Sequence, residues 1–297
     1  MTEKALAPSV KVTSQDPKGC KFMSIVSQSY DKAGLTPEQA QRLNETSGLG
    51  DVVDDWIEAN RYFGLDDRSC FYGYRPINIE IQVKRLCRIF DCHGSANHEL
   101  LEAIKTGHVK LPEGAESWFA VPNWRKLGRI FGNTYLDAVQ TMLMALRANL
   151  VDKFTCHLDL TGNQYPFSLR QKVKSDDVWK NIRNRQNDSD ILIIPGQLGL
   201  RHFGLTDTQA FEKMVNGEFP LGVFANGCML LTHPDRMINN TRPFMYCSGD
   251  EVCGGGKCWK TNVLLYEFCC NQIKLKSCSS DTGYHGMSTS TGFVLEG

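Results

Sequence analysis

The run Asp190-Ile-Leu-Ile-Ile-Pro195 is followed by Gly196-Gln-Leu-Gly-Leu-Arg-His-Phe-Gly204, then a helix signal at Thr206 and Gln209, then a second apolar run, Leu221–Leu231. A continuous apolar run bounded by Asp and Pro reads as a strand buried on both faces, as in a parallel or mixed sheet. Thr206 and Gln209 have the spacing of a capping box, opening a helix that carries Phe211, Met214 and Val215. Strand, glycine loop, helix and apolar run in this order outline a βαβ unit. This stretch therefore sets the expected fold class: α+β, a mixed sheet flanked by helices, with a cysteine-rich carboxy-terminal β region.

Outward from it, Thr134 to Leu150 is the clearest helix, with Tyr135, Ala138, Val139, Met142, Leu146 and Leu150 along one face. Trp118–Val121, stopped by Pro122, reads as a buried strand, and 168–187 as a polar helix. Leu100, Leu101 and Ile104 sit on a short helix that Gly107 can end. Ile77–Phe90 carries both alternating and helical patterns, which a short strand passing into a helix would satisfy. Nearer the amino terminus, Leu35-Thr36-Pro37-Glu38-Gln39 opens a capped helix, and Asp51–Phe63 reads as another. Asn262–Phe268 and Ile273–Ser277, joined through Cys270-Asn271-Gln272, read as a β-hairpin, preceded by a strand-like piece at Arg242–Cys247. The Ser-, Thr- and Gly-rich tail Ser279–Gly292 reads as loop. The expected organisation is a lead-in over 1–20, an α/β-type core over 21–241 and a cysteine-rich extension over 242–297.

Zero net charge across 297 residues supplies no global field toward nucleic acid or an anionic membrane. It fits self-association or a protein partner better than a strongly repelling monomer. No stretch approaches the roughly 18 apolar residues that span a bilayer, and the first twenty residues lack a signal-peptide core. A cytoplasmic protein is the expectation, and the sequons at Asn44, Asn187 and Asn239 then carry no weight.

Six of the twelve cysteines fall between Cys247 and Cys278. Cys247, Cys253 and Cys258 surround Gly254-Gly255-Gly256, and Cys270 and Cys278 come from the hairpin. Two ligands from a glycine knuckle and two from a hairpin would make a tetrahedral structural zinc site. Buried thiols and disulfides are the competing readings. On a regular strand Cys269 and Cys270 point to opposite faces, so only one of them would serve. A second group, Cys87, Cys92, His93 and His98, has ligating residue types without a recognised spacing.

The strand-end loops hold the other candidates. If Ile191–Ile194 and Leu221–Leu231 were adjacent parallel strands, their loops would converge. Arg201 would then hold an anion, His202 or His233 would act as base, and Cys228 as nucleophile; Gln197, Asn226 and Asp235 lie nearby. The chain lacks a phosphate-binding loop, a dinucleotide fingerprint, a Gly-x-Ser-x-Gly elbow and a His-Glu-x-x-His helix. The reading that results is a binding or assembly protein with a zinc-stapled β region. The alternative is a hydrolase or transferase acting on an anionic small molecule at the strand ends.

Overall fold

The computed structural model describes residues 17–45, 76–150, 153–156, 167–237, 244–254, 257–258, 262–270, 272–280 and 287–295. The helix expected over Asp51–Phe63 lies outside them. The chain divides into two compact units, Met1–Ile57 and Glu58–Gly297.

In the first unit, α1 (Pro17–Lys32) and α2 (Pro37–Glu45) are joined by a turn at Gly34, whose φ is 59°. The helix α1 opens inside the stretch read as a lead-in. The capping box at α2 forms as expected: Thr36 N–H donates to Gln39 Oε1 at 2.9 Å, and Gln39 N–H to Thr36 Oγ1 at 3.3 Å.

The second unit is α+β. In chain order its described elements are α3 (Ile79–Ile89), α4 (His98–Lys105), β1 (Ser117–Pro122), α5 (Gly128–Phe131), α6 (Tyr135–Asn149), β2 (Phe154–Cys156), β3 (Phe167–Gln171) and α7 (Val173–Arg185). Then come β4 (Ile191–Gln197), α8 (Asp207–Lys213), β5 (Glu218–Pro220), α9 (Val223–Thr232), a 3-10 turn (Pro234–Met237), β6 (Phe244–Tyr246) and β7 (Asp250–Gly254). Last are β8 (Lys257–Cys258), β9 (Asn262–Cys269), β10 (Gln272–Ser279), β11 (Met287–Thr289) and β12 (Thr291–Phe293). Among the described residues three sheets form, in the orders β1-β4-β12-β5, β11-β6-β9-β10-β2 and β3-β7-β8. The second is mixed, because β10 runs parallel to β2 and β11 parallel to β6.

The deciding stretch folds differently from its reading. Ile191–Gln197 is a strand buried at every position, but its neighbours β1 and β12 are antiparallel to it. Leu221–Leu231 contributes a helix, α9, buried at all ten of its positions. No βαβ unit exists here. An all-apolar run lacks the periodicity that separates a buried helix from a buried strand, and Asp250 decides it by capping the helix start through Val223 N–H at 2.7 Å.

Two buried glutamines complete this sheet. On the outer edge of β1, Gln82 Oε1 accepts from Ala120 N–H at 3.0 Å, while its amide donates to the carbonyls of Trp118 and Ile77. Beside β4, the strand β12 reaches only Gly196 and Gln197. Gln186 serves Ile193 instead, accepting from its N–H at 2.8 Å and donating to its C=O at 2.6 Å. Each amide takes the place of a neighbouring strand, so buried backbone groups stay satisfied.

Three further expectations are corrected. Ile77–Phe90 is helical without a strand, because Asn78 caps α3 through Glu80 N–H at 2.8 Å. Residues 168–187 begin as β3 and turn helical only at Val173. The tail contains β11 and β12, with Ser288, Thr289, Ser290 and Thr291 fully buried. Each of the four hydroxyls has an acceptor: Gly199 O for Ser288, Asp207 for Thr289, Asn226 and Tyr246 O for Ser290, and Glu218 for Thr291. Gly292 is required in this strand, since a Cβ there would lie 2.7 Å from the ring of Phe219. The Thr134–Leu150 helix, the Thr206–Gln209 capping box and the β9–β10 hairpin form as expected.

Replacing Gln186 by Leu leaves the Ile193 N–H and C=O buried without partners. Urea denaturation of this variant is expected to show a loss of about 2–4 kcal/mol; a loss below about 1 kcal/mol would mean that Gln186 does not substitute for a strand.

Candidate ligand-binding cleft

Between the end of β1, the start of α6 and the β3–α7 junction lie two adjoining hollows that share Trp124, Tyr135 and Gln171. The inner one, about 10 Å³, holds little more than a water. The outer one, about 330 Å³, falls at the lower end of the range for small-molecule sites. At its mouth the Arg125 guanidinium lies over the Trp124 ring, 4.5 Å from the centroid, and bonds Asp176 at 2.9 Å. Arg170 and Asp177 also line it, and Arg170 bonds Glu251 at 2.7 Å. Deeper in, Arg183 is half-buried; desolvation first, then the positive charge of Arg125, lowers its pKa. Gln171 Oε1 is buried and has no hydrogen-bond partner.

Beneath the shared floor Tyr135 donates to both oxygens of Asp250, at 2.8 and 2.9 Å. Asp250 also accepts from Val223 N–H, at the positive end of α9. Burial pushes the Asp250 pKa up to about 7 against these donors, which pull it down. Tyr135 is held well above its ordinary value, by burial first and then by the neighbouring carboxylate. A Cβ on Gly222 would overlap Asp250, so that position has no room for a side chain.

The strand-end candidates do not form one constellation. Arg201 and His202 share Glu218, through Arg201 Nε at 3.2 Å and His202 Nε2 at 2.8 Å. Thr291 and Val215 N–H also donate to Glu218, and their hydrogen bonds with that of His202 pull its pKa down although burial is the largest single effect. The loop is held from two sides: Gln197 Oε1 accepts from the N–H groups of Gly199 and Arg201, and Glu116 Oε1 from those of Leu198 and Leu200. His233 lies at the end of α9, with its Nε2 accepting from Ile77 N–H at 3.0 Å and its ring edge-on to Phe119. Burial lowers its pKa to about 3, too weak for a base near neutrality. Cys228 is wholly buried in α9, and burial raises its pKa far above the reactive range. The expected convergence depended on Leu221–Leu231 being a strand, and it is a helix.

The cysteines are likewise dispersed. Cys253 is disulfide-bonded and faces Cys258 in the β7–β8 register. Cys247 is buried, accepts from Asn226 Nδ2 at 3.3 Å, and burial raises its pKa. Cys270 is in the turn of the β9–β10 hairpin and Cys278 is paired with Val263 at its open end. At about 3.3 Å per residue they are roughly 25 Å apart, so one ion cannot bind both. No group of three or more His, Cys, Asp or Glu side chains among the described residues is arranged to hold a metal. Cys87 and Cys92 meet because α3 ends in a Schellman turn: Asp91 has φ 47°, and Cys92 N–H reaches back to Cys87 O at 2.9 Å. Burial, then Cys92, raises the Cys87 pKa to about 12.

The sequence reading passed over the cleft. Trp124 lies beyond the strand read as stopping at Pro122, Gln171 lies in a segment read as a helix, and only the fold makes them neighbours. No family model, curated protein or solved structure matches the chain.

Two measurements follow from these contacts. Because the folded pKa of Asp250 exceeds the ordinary 3.8, this residue stabilises the fold fully only below about pH 4. Its contribution falls as pH rises toward about 7. Asp250→Asn keeps an acceptor for Val223 N–H and removes the charge, so its stability relative to the parent is expected to increase from pH 4 to pH 7. A pH-independent difference would show that Asp250 has an ordinary pKa. His202→Ala leaves the Glu218 carboxylate short of a donor, and calorimetry is expected to show a loss of about 3 kcal/mol. An unchanged melting curve would return His202 to the list of functional residues.

Proposed function

We propose that the chain is a binding protein whose outer hollow takes a small zwitterionic molecule of amino-acid or dipeptide size. The observation that supports this most is Gln171 Oε1, a buried acceptor without a hydrogen-bond partner on the floor shared by the two hollows. Leaving such a group unsatisfied costs about 1–3 kcal/mol, and an N–H donor from a ligand recovers it. Arg125 and Arg170 together with Asp176 and Asp177 present both charge signs at the mouth, which suits a molecule carrying both over a simple anion or cation. Trp124 supplies an apolar face.

The strand-end hydrolase or transferase has less support. Of its four residues only Arg201 and His202 share a contact, and the carboxylate between them is already saturated with donors. For the cysteine-rich region, the disulfide at Cys253 favours covalent stapling over zinc. The β sheet it belongs to then serves as scaffold, since β3 carries Gln171 and pairs with β7.

Tryptophan fluorescence titrated with free amino acids and dipeptides is expected to show saturable quenching, with acetylated and amidated counterparts binding at least about tenfold more weakly. Gln171→Leu should weaken the zwitterions by a similar factor at a thermal midpoint no lower than the parent's. A flat response across the panel, or equal binding of the capped molecules, would remove this reading. Metal analysis of untagged protein separates the two staples, because about one zinc per chain would reinstate the metal.

A further inference from the structure

The hairpin joining β9 to β10 pairs Cys269 with Gln272, which makes Cys270 the first position of a tight turn. The first position of such a turn requires a left-handed backbone, usually supplied by Asn, Asp or Gly. Here Cys270 occupies it, with φ 54°. The left-handed residue breaks the alternation that would send adjacent side chains to opposite faces. The two sulfurs consequently lie 3.4 Å apart. Cys270 is exposed and Cys269 half-buried.

We propose that Cys269 and Cys270 form a two-sulfur binding site for a trivalent, pyramidal thiophile, of which a mono-organoarsenical is the type. The sulfur separation selects among the chemistries open to a dithiol. Two bonds of about 2.3 Å to a common atom that span 3.4 Å enclose an angle of about 95°, suited to a pyramidal trivalent centre. A linear two-coordinate ion with the same bonds needs about 4.6 Å, and a tetrahedral one about 3.8 Å. A disulfide requires closure to about 2.05 Å between residues whose Cα atoms are only about 3.8 Å apart, well below the usual disulfide spacing. Pyramidal chelation therefore needs the least movement. Among the described residues no third His, Cys, Asp or Glu joins the pair, so the third bond of the centre must arrive with the ligand as a carbon substituent.

The step balances without electron transfer. An organoarsenic oxide meets the two thiols, two As–S bonds form, the bond to oxygen is lost, and the oxygen leaves as water with both thiol protons. The hydrogen bond it shares with Cys270, above all, raises the pKa of Cys269. Cys270, the more exposed of the two, is the sulfur that attacks first, with Cys269 closing the ring. Cys87 and Cys92 make the other close thiol pair, but both are half-buried and the Cys87 pKa is raised to about 12.

The test is titration of the reduced full chain with phenylarsine oxide, read by intact mass and by protease mapping. The expected result is one adduct, accompanied by loss of water, on the peptide bearing Cys269 and Cys270. Ethanedithiol should reverse it and a monothiol should not. Cys269→Ser and Cys270→Ser should each weaken binding by about 100-fold, the usual return from a second, intramolecular contact. Cys87→Ser should change nothing. Because the pair is at a hairpin tip, a melting curve for each variant distinguishes lost ligation from unfolding. An adduct that maps elsewhere, survives in either tip variant, or yields to a monothiol would overturn the proposal.

Discussion

A carboxylate placed where water cannot reach it organises the second unit. Asp250, at the start of β7, receives the Tyr135 hydroxyl from α6 and the Val223 N–H that opens α9. Three elements distant in sequence therefore meet at one side chain. The interaction is a compromise between two large effects. The helix terminus and the phenol stabilise a negative charge, whereas complete burial penalises it, and the balance leaves the pKa near 7. Gly222 is part of the same arrangement, since any side chain there would occupy the carboxylate's place. Because α9 is buried at every position and its N-cap Gly222 offers no side-chain cap, the acceptor supplied from β7 marks where it starts.

The remainder of the core follows the same rule of polar groups matched in pairs. Gln82 and Gln186 complete the strands β1 and β4. Glu218 gathers His202, Arg201, Thr291 and Val215 N–H, while Asp207 accepts from Ser248 and Thr289. A buried network of this kind is costly when one member is missing and rigid when all are present. It explains why His202 and Arg201, read as reactive, are better understood as donors that let a carboxylate stay charged inside the sheet. The unmatched oxygen of Gln171 differs from these groups in its place, because an open acceptor at a cleft can be met by a ligand.

Local signals were legible in proportion to how local their physics is. Capping boxes at Thr36 and Thr206 and the β9–β10 hairpin formed as read, since each depends on atoms a few residues apart. The buried runs were not legible in the same way. Ile191–Ile194 and Leu221–Leu231 are both continuous and apolar, yet one is a strand and the other a helix, a choice made by Asp250 from another strand. The tail Ser288–Thr291 read as loop because hydroxyls favour exposed turns. It is central because Asp207, Asn226 and Glu218 supply acceptors that no window around it contains. The candidate site failed for the first of these reasons, as its convergence rested on the wrong secondary structure for α9. Gln171 and Trp124 gave no signal at all.

The cysteines show how far environment outweighs residue type. Nine described cysteines lie outside any disulfide, and their chemistry divides by depth. Cys228 and Cys247 are wholly buried, and desolvation keeps them protonated and inert. Cys87, at the end of α3, is restrained by the same effect to a smaller degree. At the β9–β10 tip two sulfurs come together with one of them exposed, and they do so because a left-handed turn holds a residue that ordinarily avoids it. Clustering along the sequence between Cys247 and Cys278 suggested one shared site. The hairpin instead carries Cys270 and Cys278 to opposite ends of a strand pair, so that proximity in sequence became distance in space, and the adjacent pair expected to diverge became one that converges.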